Sequence, residues 1–167
     1  MDLGCGTGRL LEFATHGVDF SEKMLRIASE KHPEKITAVG EISNIPFDIK
    51  FGCIFCFHVI MHQTKEETEN FLKECFRKLD NQGFLIFDYP TKTRRKVVSP
   101  QEDWHAGNSF NIEEISLLTQ NQWNLRSTTG ILLFPVHRLP KKLRLFFCPS
   151  IFCCAVHFLK SGLPITL

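Results

Sequence analysis

Apolar residues in this chain fall into short runs separated by amphipathic stretches, and that order predicts alternating strands and helices. Met1 to Leu3 reads as the end of a first strand, Arg9 to Ala14 as a helix, and Val18 to Phe20 as a short second strand. Ser21 then has the side chain and position of a helix N-cap. Met24, Leu25, Ile27 and Ala28 follow as a helical stripe ending near Lys31. Ile36 to Val39 predicts a third strand, and the unbroken apolar run from Gly52 to Phe57 predicts a fourth, buried on both faces. From Lys65 to Leu79 the period changes to that of a helix with Phe71, Leu72, Cys75, Phe76 and Leu79 on one side; Asn81-Gln82-Gly83 turns the chain into a fifth strand, Phe84 to Phe87.

Beyond Pro90 a polar, basic stretch reaches about Asn108, Asn111 caps a helix from Ile112 to about Gln120, and Leu125 to Phe134 predicts a sixth strand. The apolar tail from Leu145 to Leu159 is shorter than the roughly twenty residues a membrane-spanning helix needs. It reads as a core-facing last strand, antiparallel beside the fifth; an interfacial membrane segment is the alternative. Alternating elements of this kind imply an α/β domain with a central, mostly parallel sheet and helices on both faces.

The densest chemical signal is Asp2-Leu3-Gly4-Cys5-Gly6-Thr7-Gly8, three alternating glycines at the end of a strand. Glycines remove Cβ atoms where a ligand lies directly against the backbone. A dinucleotide fingerprint spaces its last glycine three positions after the second, whereas Gly8 follows Gly6 by two. Asp2 would repel a pyrophosphate but attract the ammonium of an amino-acid moiety. A plain tight turn before a helix is the alternative reading of the loop.

Composition adds few constraints. A length of 167 residues, 43% hydrophobic and 23% charged, suits one globular domain with its own core. A net charge of +2 steers the chain toward neither nucleic acid nor an acidic surface. The basic groups Lys92, Arg94, Arg95, Lys96 and Lys141, Lys142, Arg144 lack interleaved aromatics, so they read as solvated faces rather than a nucleic-acid surface. Seven cysteines, an odd number mostly inside apolar runs, fit a reducing cytoplasm. Cys53 and Cys56 have C-x-x-C spacing but would face opposite sides of a strand. Cys148, Cys153, Cys154 and His157 lack the paired spacing of a zinc site, so no metal is expected.

The glycine loop does not stand alone. Gly17-Val18-Asp19-Phe20-Ser21, Val39-Gly40-Glu41-Ile42 leading to Ile45-Pro46-Phe47, the stretch from Phe51 to His62, and Leu79 to Ile86 follow it in order. Together these motifs resemble the class I S-adenosylmethionine-dependent methyltransferases, in particular the type 11 group, from Met1 to about Pro90. The resemblance implies a Rossmann-like methyltransferase fold, S-adenosylmethionine as cofactor, and methyl transfer to a small-molecule or lipid-like acceptor, leaving S-adenosylhomocysteine (SAH).

The resemblance also implies a cofactor-binding set. Asp2 would take the cofactor's amino group, and Gly4, Cys5, Gly6 and Gly8 would pass under its methionine and ribose. Asp19 would accept the ribose hydroxyls, and Phe20 and Ile42 would flank the adenine. Glu41 stands where the family has Asp at the adenine amino group, and Phe57 completes the set. At the end of the fourth strand His58 is a substrate-contact candidate and His62 a general-base candidate, while Trp104 and His105 are placed for a substrate lid.

Several features depart from the family. The chain opens inside its first strand, which is expected to be cut at its start. The segment from Arg9 to Asp19 is several residues short, so helix and second strand cannot both have normal length. Gly52 replaces a common Asp, and Phe146 to Leu167 does not resemble the family's ending. The expected organisation is one domain over 1–167, with 1–90 as the cofactor half and 91–167 as linker and substrate side. A non-catalytic cofactor-binding module lacking its lid is the rival to an enzyme.

Overall fold

A computed structural model of the chain describes residues 1–92, 109–119, 122–131 and 153–160. Seven strands form one sheet: β1 (Asp2–Leu3), β2 (His16–Asp19), β3 (Ile36–Val39), β4 (Phe51–Cys56), β5 (Leu79–Pro90), β6 (Trp123–Ile131) and β7 (Cys153–Lys160), in the order β3-β2-β1-β4-β5-β7-β6. The first five run parallel. Between β5 and β6, β7 runs antiparallel to both, so the apolar tail does supply a last strand beside the fifth. The order reverses beside β1, which places a cleft beyond the carboxyl ends of β1, β2 and β4.

Helices lie against both faces of the sheet. Phe71, Leu72 and Cys75 of α2 (Lys65–Lys78) join Ile54, Cys56, Leu85 and Phe87 in the main core, and the Phe71 and Phe87 rings meet edge-on at 5.5 Å. Thr64 starts this helix: its hydroxyl accepts the Glu67 N–H at 3.2 Å while the Glu67 carboxylate accepts the Thr64 N–H at 2.6 Å. On the opposite face, Ala28 of α1 (Glu22–Lys31) packs with Leu11, Ala14 and Phe55. The Ser21 hydroxyl caps α1 by accepting the Met24 N–H. A further helix among the described residues, α3 (Ile112–Leu118), is entered where the Glu114 carboxylate accepts the Asn111 N–H at 2.8 Å.

The main departure from the sequence reading is the expected helix from Arg9 to Ala14. Only a single 3-10 turn forms there, Leu11–Phe13, and β2 begins at His16 rather than Val18. Too few residues separate the glycine loop from β2 for a full helix, and the sheet takes priority because β2 pairs with both β1 and β3. β4 starts one residue earlier than expected and ends at Cys56, which leaves Phe57 just beyond it. The Asn81-Gln82-Gly83 turn is a bulge inside β5: between the pairs Phe51–Leu79 and Cys53–Phe84 the register shifts, with Gln82 at φ 64°. β6 starts at Trp123, ahead of the expected Leu125, and its expected end at Phe134 lies outside the described residues. Among the described residues no helix is long and apolar enough to cross a membrane.

Candidate cofactor cleft

The turn after β1 requires its glycines. Gly4, Gly6 and Gly8 have φ of 78°, 53° and 77°, in the left-handed region that L side chains rarely adopt. They differ in what surrounds them. A Cβ on Gly4 would stand 2.4 Å from Cγ2 of Val59, and one on Gly8 would press on His32 and Ala28, whereas one on Gly6 would meet nothing within 4 Å. Gly4 and Gly8 are therefore needed for packing. Gly6 faces open space, and a ligand lying on the loop would use it.

Asp19, at the end of β2, organises this loop. Its carboxylate accepts the Gly6 N–H at 2.8 Å with one oxygen and the Ser21 N–H at 2.9 Å with the other. Each oxygen keeps a further lone pair for a ligand hydroxyl. The Val18 carbonyl accepts both Gly4 N–H and Cys5 N–H, at 2.7 and 2.9 Å. From α1, Lys31 donates to the Thr7 carbonyl at 3.1 Å, and His32 Nε2 donates to the Gly8 carbonyl at 2.9 Å. The loop is thus held by both β2 and α1 before any ligand arrives.

A second carboxylate, Asp2, is buried within β1. Burial pushes its carboxyl up to about 6; the Met1 ammonium works against that, the nearby Asp19 adds to it, and Arg9 opposes it. Burial likewise drives the Cys5 thiol up to about 12, helped by Asp2 and Asp19, so Cys5 is an uncharged filler of the loop. Phe20 projects from the lip of the cleft with 80% of its surface exposed. A bond from Gly40 N–H to the Asp19 carbonyl at 3.1 Å ties β2 to the loop that carries Glu41, which is exposed, and Ile42, which is half-buried against the core.

Three supporting residues were not read from the sequence. Glu74 of α2, inside a helix read only for its apolar stripe, accepts the Ile45 N–H at 3.0 Å, and Lys78 donates to the Phe47 carbonyl. Both are buried, and both hold the loop bearing Glu41 and Ile42. Asp88, near the end of β5, accepts the His58 N–H at 2.6 Å. An acidic residue directly after the apolar run Phe84–Phe87 was the available signal.

Beyond β4, Phe57 is half-buried with its ring 6.2 Å from that of Phe55, and His58 follows at φ 62°. Val59 touches the glycine loop at Gly4, so this turn borders the same cleft. His62 sits exposed at the end of the next 3-10 turn, Ile60–His62. Trp104 and His105 lie outside the described residues.

A family profile described as "Methyltransferase domain" matches residues 1–87. No curated protein matches the sequence. Among solved structures, an S-adenosylmethionine-dependent methyltransferase from Clostridium acetobutylicum is 18% identical, with a TM-score of 0.71 over 96% of this chain and 83% of that one. One from Methanosarcina mazei is 16% identical, with a TM-score of 0.72 over 95% and 90%. The magnesium protoporphyrin IX methyltransferase of Synechocystis, solved with bound SAH, is 18% identical, with a TM-score of 0.67 over 96% and 73%. At such identities the three show a shared fold.

Proposed function

Because this chain belongs to the methyltransferase-domain family, as a class I S-adenosylmethionine-dependent enzyme, we propose that the cleft around Gly6 holds S-adenosylmethionine and presents its methyl group to a small-molecule or lipid-like acceptor. The observation that carries this reading is the contrast among the glycines: Gly6 alone of the three has open space where its side chain would be. When bound, the cofactor supplies a methyl group already made electrophilic by a positive sulfur, so the protein's task is to hold, orient and exclude water.

Each residue of the cleft has a part in that task. Asp2 takes the ammonium of the methionine moiety, which offsets the cost of keeping a carboxylate buried. Asp19 uses its free lone pairs on the ribose hydroxyls while keeping Gly6 and Ser21 in place. Gly4, Cys5 and Gly8 complete the floor. Phe20 and Ile42 enclose the adenine, Glu41 reaches its amino group, and Phe57 lines the wall toward the methyl. His58 and His62 lie on the acceptor side. The free thiols Cys5, Cys53, Cys56 and Cys75 fit a reducing compartment, and the cytoplasm is the location proposed.

Asp19→Ala tests the arrangement. Loss of a charged acceptor costs on the order of 1.5–3 kcal/mol, so SAH affinity measured by calorimetry drops roughly tenfold to a hundredfold. Unchanged affinity in a folded variant removes Asp19 from the site and the ribose from its proposed place.

A further inference from the structure

His58 is one of only two non-glycine residues at positive φ among the described residues, at 62°. A side chain held in the left-handed region is strained, and such positions cluster where a group must be aimed. Here the aiming device is visible. One oxygen of the buried Asp88 accepts the His58 backbone N–H at 2.6 Å, and the other lies 3.3 Å from the same residue's Nδ1. Asp88 has 4% of its side chain exposed and His58 40%, so a buried carboxylate backs a ring whose surface is partly open. Val59, the next residue, packs on Gly4, so the turn that carries His58 borders the glycine loop, just beyond the carboxyl end of β4.

We propose that His58, positioned by Asp88, is the base that removes the acceptor's proton, and that the acceptor is therefore a compound whose reacting oxygen or nitrogen carries hydrogen. The proposal rests on the cleft being a methyl-transfer site. Asp88 favours the tautomer with its proton on Nδ1, which leaves the Nε2 lone pair for the acceptor. As the acceptor's heteroatom bonds to the methyl carbon, the carbon–sulfur pair stays with sulfur and the acceptor's proton passes to Nε2. The resulting imidazolium is offset by Asp88. His62, exposed on the following turn, becomes an acceptor contact rather than the base.

The His58 ring nitrogens report on this directly by long-range proton–nitrogen NMR, with the signal assigned by its loss in His58→Gln. The expected wild-type spectrum is that of the Nδ1–H tautomer. In Asp88→Asn the amide oxygen stays on the His58 N–H, its NH2 faces Nδ1, and the ring changes to the Nε2–H tautomer. Diethylpyrocarbonate, read site by site by peptide mass, modifies His58 in the wild type, is blocked by saturating SAH, and acts more slowly on Asp88→Asn. SAH still binds His58→Gln, because the variant leaves the glycine loop and Asp19 intact. An Nε2–H wild-type ring, or modification of His58 that SAH does not block while SAH binds, overturns the dyad. Failure of SAH to bind the wild type overturns the methyl-transfer reading instead, a separate result.

Discussion

Asp2 shows how one residue couples stability to function through its proton. With its carboxyl raised to about 6 from an ordinary 3.8, the folded chain holds that proton more tightly than the unfolded one. The stability Asp2 contributes is therefore full below about pH 4 and lost as pH rises through 6, a change of roughly 3 kcal/mol for a two-unit shift. A bound ammonium reverses the preference. SAH affinity measured by calorimetry should then rise about tenfold from pH 5 to pH 7, while Asp2→Asn binds weakly with a flat profile across that range. A wild-type profile as flat as the variant's would detach Asp2 from the ligand. The acid at this place was legible because it stands in a glycine motif. Its raised pKa was not, since that depends on burial between β1's neighbours. Asp88 was passed over because its partner, His58, lies thirty residues earlier, and only its place after an apolar run marked it.

Among the elements, the loop from Glu41 to Phe47 depends on α2. Burial alone pushes the Glu74 carboxyl up, but the Arg77 bonds at 2.7 and 2.8 Å, together with the Ile45 N–H, outweigh it and hold it below the usual range. Glu74→Ala leaves the Ile45 N–H buried without its acceptor, a cost of about 1–3 kcal/mol. For a domain of this size the melting temperature should fall by about 2–4 °C per kcal/mol. SAH binding should weaken with it, because the loop carries Glu41 and Ile42. A variant with wild-type melting and affinity would show that the loop holds itself. Parallel strands were readable as continuous apolar runs, and α1 and α2 from their caps and stripes. The 3-10 turn at Leu11–Phe13 was foreshadowed by the short spacing, but its form is decided by β2's pairing on both sides. The β5 bulge was hidden because turn residues inside a strand look like a strand boundary.

At the scale of the whole molecule, the sheet order sets residues from separate stretches at the carboxyl side of neighbouring strands: the glycine loop after β1, Asp19 at the end of β2, Glu41 after β3, His58 after β4 and Asp88 near the end of β5. The order of the family's motifs implied the placement of the first four, while Asp88 was not among them; the match to known methyltransferases shows the fold they share. Calorimetric titration of the wild-type chain and Gly6→Val with SAH, with NAD as the competing cofactor class, tests directly whether the cleft around Gly6 holds the cofactor. Saturable one-site SAH binding to the wild type is expected, with no heat from NAD and with loss of SAH binding in a folded Gly6→Val, whose side chain fills the space left over the loop. Normal SAH binding by Gly6→Val, or NAD binding in place of SAH, would contradict it.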